Sequence, residues 1–190
     1  MDINDYLISV KKQFRYYQIL GEKTFNQLND GQLFWTPNEN SNSVAVIVKH
    51  LWGNMMSRWT DFLESDGEKE WRMRDEEFES SFETRAEMLK LWEEGWACLF
   101  TALESINEKN SNKLVYIRNV GHSVVEAINR QLCHYSYHVG QMVFLAKQMA
   151  DSDWESLSIP KEQSKAYNSG KFSRKKSKGH FTDEFLKKGK

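Results

Sequence analysis

Proline occurs only at positions 37 and 160 of this 190-residue chain. Between those breaks little prevents the backbone from running as helix. Apolar residues there recur at three- and four-residue steps almost throughout, the spacing of helices with one buried face. Ile3, Leu7, Val10, Phe14 and Tyr17, continued by Phe25 and Leu28, mark a first helix that Asn29-Asp30-Gly31 ends. Trp35-Thr36-Pro37-Asn38 reads as a turn. Ser41 or Ser43 can cap a second helix with Val44, Ile47, Val48, Leu51, Met55 and Phe62 on one face. Ser65-Asp66-Gly67 stops it, and the polar run to Glu79 reads as a long connection. Ser80 and Glu83 have the spacing of a capping box. A third helix follows, its buried stripe formed by Phe82, Ala86, Leu89, Trp92, Trp96, Leu99, Leu103 and Ile106. Leu114 to Val120 is short and β-prone, an extended connection before Gly121. Ser123 and Glu126 make a second capping box, opening a fourth helix that runs to about Met149.

Four helices of roughly 25 residues can bury such stripes against one another as a bundle, so the predicted class is all-α. The bundle should occupy residues 1–150. Residues 151–190 form an appendage in which Trp154, Leu157 and Ile159 can fold back before a basic, partly flexible end. No internal repeat of about 20–50 residues is visible, which argues against a solenoid.

The net charge of −1 conceals an uneven distribution. Residues 1–160 carry 16 basic and 24 acidic side chains, whereas residues 161–190 carry 10 and 3. An acidic body repels phosphate backbones, so nucleic-acid binding would have to rest on the tail alone. Such basic runs are mostly solvated segments. Mean hydropathy is −0.70, and no run approaches the roughly 18 apolar residues of a membrane span. Asp2, Asp5, Lys11, Lys12 and Arg15 interrupt the first residues and leave no secretory signal core, so a cytoplasmic location is expected. Two cysteines, Cys98 and Cys133, argue against a disulfide framework or a four-Cys zinc site.

The chain has five histidines. His134 and His138 lie four apart within the fourth helix, which brings both imidazoles onto one face about 5–6 Å apart at Cβ. Projected along that helix, His138 falls inside the apolar stripe, between Ala127, Gln131, Met142 and Leu145. His134 falls at its edge. Imidazoles turned toward a bundle core need partners, because an unsatisfied buried polar group costs about 1–3 kcal/mol. A shared metal satisfies both; backbone carbonyls or tyrosines are the plainer alternative. His50, at the edge of the second helix's apolar face, is the natural third ligand. His122 and His180 are expected in surface or capping roles. Around the pair, Gln131, Tyr137 and Gln141 lie within a turn or two, and Asn54 lies one turn after His50. Each can orient a ligand or a substrate. Arg130, four residues before His134, can bind a carboxylate through its planar fork or bridge to a neighbouring glutamate. Trp52, Trp59, Trp92 and Trp96 can roof a pocket, although aromatic stripes at helical spacing more often build core.

The run from Ser123 through Glu126, Asn129-Arg130-Gln131, His134, Tyr137-His138 and Gly140-Gln141 resembles the signature of the YfiT-like branch of the DinB-like superfamily. His50 in Val48-Lys49-His50-Leu51 matches that family's first metal histidine. Leu157-Ser158-Ile159-Pro160 with Gln163-Ser164 is similar as well. The resemblance covers essentially the whole chain. It implies an up-down-down-up four-helix bundle, one divalent transition metal on His50, His134 and His138 (zinc or nickel foremost), and a homodimer. It also implies a small-molecule substrate. Some relatives use low-molecular-weight thiols in S-transfer or isomerisation, and others are labelled metal-dependent hydrolases.

Three protein ligands leave coordination positions for exogenous groups, as in catalytic rather than structural zinc sites. A metal there lowers the pKa of water or of a thiol. Metal-assisted hydrolysis usually employs a nearby base, yet no carboxylate lies within one turn of the His134–His138 pair on its own helix. That tilts the expectation toward a low-molecular-weight thiol as cosubstrate for S-transfer. A hydrolase and a non-catalytic metal-binding or stress-response module are the alternatives.

Overall fold

The computed structural model describes residues 2–79 and 84–186. Helix α1 (Ile3–Phe25) starts at Asp2, whose side chain accepts from the Asn4 amide at 2.8 Å. Helix α1 stops at Phe25 with Asn26 as its C-cap, ahead of Asn29-Asp30-Gly31, so Leu28 is buried from the turn that follows. Asn29 and Gln32 form a capping box that opens a five-residue helix, α2 (Asp30–Phe34). Of the two candidate caps for α3 (Val44–Trp59), Ser43 holds the position, its side chain accepting from the Val46 amide. This helix stops at Trp59, earlier than Ser65-Asp66-Gly67, and Asp61 turns the chain with a φ of 50°. Phe62 is therefore buried from a turn and not from the helix.

The Ser80–Glu83 box and Phe82 lie outside the described residues. Helix α4 (Arg85–Glu104) is capped by Thr84, which forms its own box with Glu87. Met88 is buried at its start, whereas Ala86 is exposed and Leu89 half-buried, so the stripe is rotated from the one expected. The expected extended connection is a hairpin, β1 (Leu114–Ile117) and β2 (Val120–Ser123), paired antiparallel with Ile117 opposite Val120. Arg118 and Asn119 both take positive φ, at 54° and 62°. That is the twist a two-residue hairpin turn demands, and glycine usually supplies it. Asp66 provides the compensation, its carboxylate accepting from both turn amides at 2.8 Å and from the Glu68 amide at 2.7 Å. Helix α5 (Val124–Ala150) follows; Ser123 accepts from the Glu126 amide. The other half of that box is replaced by His122, whose Nδ1 lies 3.2 Å from Glu126.

Helices α1, α3, α4 and α5 pack around one core, with α3 against α4 and α5, and α1 against α4 and α5. At its centre each of them contributes one aromatic ring. Phe14 lies 6.2 Å from Trp59, 6.3 Å from Trp96 and 5.9 Å from Tyr135, centroid to centroid. Burying side chains this large is worth about 1.5–3 kcal/mol each, and edge-on ring contacts add to that. Tyr135 is also fixed by its hydroxyl, which accepts from Trp59 Nε1 at 2.9 Å and donates to Asn54 Oδ1 at 3.0 Å. Trp59, Trp92 and Trp96 are thus core residues and roof no pocket over the histidines.

The appendage continues as α6 (Ser164–Phe172) and α7 (Asp183–Leu186). Trp154 packs on the core. Phe181 and Phe185 sit on the Tyr16 ring of α1, and Thr182 is fully buried. His180 bonds Ser9 at 3.1 Å and Asp183 pairs with Lys12 at 2.7 Å, so this histidine fastens the tail. No helix is long and apolar enough among the described residues to cross a membrane.

Candidate metal centre

Helix periodicity places His134 and His138 one turn apart on α5 while Tyr135 and Val139, one residue further on, point into the core. Both histidines are half-buried. His138 is therefore at the edge of the stripe and not inside it, because the stripe centres on Ile128, Tyr135 and Met142. His50 is buried, since α3 is covered on nearly every face. Part of that cover is the connection after Gly67, which contains a 3-10 turn (Asp75–Phe78) packed on α3.

The Nε2 atom of His134 lies 3.3 Å from Nε2 of His50 and 3.1 Å from Nε2 of His138. The ligating atoms of the three rings all fall within 4.8 Å of one another. The opposite nitrogens decide what this cluster needs. His50 Nδ1–H donates to Glu77 at 2.9 Å, and His138 Nδ1–H donates to the Gln141 carbonyl at 2.8 Å. Each neutral ring then presents Nε2 as a lone pair. His134 has at most one Nε2 proton to share between them, so at least one close approach sets lone pair against lone pair. A cation resolves that conflict, and imidazole suits zinc, nickel, copper and iron alike.

Electrostatics favour the same state. Burial, reinforced by the neighbouring imidazoles, lowers His134 to about 3 and His138 to about 4. Both rings are neutral at neutral pH, as ligation requires.

Glu77 is the residue that sequence reasoning missed. Its carboxylate takes His50 on one side and Arg72 on the other, Nε at 2.7 Å and Nη2 at 2.9 Å. Burial alone pushes its pKa up, but the hydrogen bonds from His50 and Arg72 prevail and hold it below the usual carboxylate value. A carboxylate behind a ligating histidine fixes the ring and strengthens it as a ligand. Gly53 makes the approach possible: a Cβ there would collide with Glu77 Oε1. Phe78 stacks on His50 with centroids 4.9 Å apart. In the sequence, Glu77 is one of several acidic residues in a polar run, and only Gly53 one turn from His50 hints at a close neighbour.

A cavity of about 330 Å³ opens at the cluster. It is lined by the three histidines with Asn54, Arg130 and Gln131. Asn54 is engaged with Tyr135. Gln131 is buried and its Oε1 has no partner. Gln141 instead stands behind His138, where its amide donates to Tyr137 at 3.1 Å. Tyr137 is exposed, packs edge-on against His138 and does not line the cavity. Of the five auxiliary residues expected here, three face the cavity and two, Tyr137 and Gln141, stand outside it against His138.

Among known protein families, one described as "Protein of unknown function (DUF1572)" matches residues 2–163. No curated protein and no solved structure matches the chain.

Proposed function

The chain belongs to the DUF1572 family, and from that premise we propose a metal-dependent enzyme of the DinB/YfiT-like kind, an up-down-down-up four-helix bundle that activates a low-molecular-weight thiol for transfer to an electrophile. One observation carries this reading. Three Nε2 atoms converge, and among the described residues no cysteine or carboxylate joins them as a fourth donor. His50, His134 and His138 would hold the ion, which supplies a Lewis-acid position that lowers the pKa of a thiol.

The chain's own residues do the rest. Glu77 and Gln141 hold two of the rings by their far nitrogens, which fixes the direction of the donors. Asn54, Gln131 and Arg130 offer polar contacts for the thiol or its acceptor. Hydrolysis is the second reading, and the position of Glu77 counts against it. Its carboxylate lies behind His50 and is saturated by Arg72, so it cannot take a proton from a water on the cavity side.

The test supplies zinc or nickel to the metal-free protein together with a small thiol and a chlorinated aromatic acceptor. A C–S bond forms, chloride leaves and the thiol proton passes to solvent. The reaction should run only with metal and vanish in His134→Ala. Equal rates with and without metal overturn the proposal, and ester turnover without thiol transfers the assignment to a hydrolase. The same resemblance leads us to propose a homodimer in the cytoplasm, and the exposed Phe144 and Tyr137 of α5 support such an interface.

A further inference from the structure

Five arginines, Arg58, Arg72, Arg74, Arg118 and Arg130, line the cavity that holds the three imidazoles. Their carboxylate partners are too few. Glu77 takes Arg72 in a forked pair. Glu68 is shared among three guanidinium groups, its Oε2 lying 3.0 Å from Arg58, 3.2 Å from Arg118 and 3.5 Å from Arg72. Asp75, the neighbour of Arg74, is 3.9 Å away and fully exposed. Arg130 makes no ion pair among the described residues. Even with no charge counted on the imidazoles, the wall carries a clear excess of positive charge, and any bound metal would increase it. Two further polar atoms of the lining lack partners while buried: Nε of Arg58 and Oε1 of Gln131.

A cleft backed by an apolar core focuses such a field onto whatever enters. The arginines divide by exposure. Arg58 and Arg72 are buried and bonded, which makes them structural. Arg74, Arg118 and Arg130 have guanidinium groups reachable from solvent; Arg74 lies over the Phe78 ring, whereas Arg118, on the hairpin turn, and Arg130, one turn before His134, have no ring beneath them among the described residues. Their planar forks suit a carboxylate or a phosphate, with two parallel N–H donors for two oxygens.

We infer that the trihistidine cavity selects an anionic small molecule, gripped at a carboxylate or phosphate group by Arg118 and Arg130. The inference rests on the reading of this cavity as a substrate site, and it narrows the substrate class to oxyanions.

Calorimetric titration of the full-length protein, metal-free and zinc-loaded, tests it with three probes: succinate, inorganic phosphate and the neutral succinamide. Succinate or phosphate should bind even without zinc, and succinamide should not. Arg130→Gln should raise the anion Kd about tenfold, the effect of losing one charge-assisted hydrogen bond. Arg118→Gln should act in the same direction, and added salt should weaken binding. Tighter phosphate binding assigns a phosphate-bearing ligand; tighter succinate binding assigns a carboxylate. Succinamide binding as tightly as the better of the two anions, or an unchanged Kd in both variants, overturns the inference. Zinc binding without anion binding sinks this inference and spares the metal reading; anion binding without zinc binding does the reverse.

Discussion

Two sets of charged side chains fasten distant parts of this chain, one beneath the candidate metal centre and one at the tail. Their distances are indistinguishable: Arg72 to Glu77 is 2.7 Å, and Lys12 to Asp183 is 2.7 Å. Their surroundings are not. The first pair is 2% and 6% exposed, the second 37% and 36%. Water screens the tail pair and holds each partner nearly as well alone, so a short contact there adds little. Under the histidine cluster no water replaces a lost partner, and each charge depends on the other. Length of contact therefore says nothing about strength in this molecule; the medium does.

The sharpest way to break that comparison is Glu77→Ala. It leaves Arg72 with only its long contact to Glu68 and frees His50, and should cost about 3–5 kcal/mol in chemical denaturation of the metal-free protein. A loss no larger than that of a surface variant would put both pairs in one class. Asp66 sits between the extremes, part-exposed yet bonded to three amides. Burial pushes its pKa up, but those backbone donors together prevail and hold it below the ordinary value of 3.8. A depressed folded pKa contributes stability above the unfolded value and loses it as pH falls through the folded one. Asp66→Asn should cost about 0.5–1 kcal/mol at neutral pH, discounted for exposure. The difference from the parent should shrink as the pH of thermal melts drops below about 3.8. A difference that persists in acid would mean that the carboxylate's charge is irrelevant to the hairpin. Smallest of all, Lys12→Ala should leave the melting temperature unchanged and shift only local protection of residues 180–186 in hydrogen exchange.

Much of this fold is legible from spacing alone. The apolar steps of Leu7, Val10 and Phe14, and the cap at Ser43, are local signals that tertiary packing did not override. What escaped was long-range. The hairpin turn uses Arg118-Asn119 where glycine is the usual signal, and the compensating carboxylate lies some fifty residues earlier. The centre divides likewise. His134 and His138 announce themselves by helical spacing, and His50 by its place on a facing helix. Glu77 has no such mark, because what selects it from Glu76 and Glu79 is the route of the connection across Gly53. Arg130 could be singled out from the helix, but the four arginines beside it come from α3, a loop and the hairpin.

Tyr135 and His134 are successive residues with opposite duties, one wedged among rings from the other long helices and one aimed at the cavity. Turning α5 to suit an ion of different radius would tear the tyrosine from Trp59 and Asn54. The placing of the histidine is thus inherited from hydrocarbon packing, and any ion the three rings could hold would meet it ready-made. A descendant of this chain that re-aimed those rings would have to begin with substitutions among the core residues that hold Tyr135.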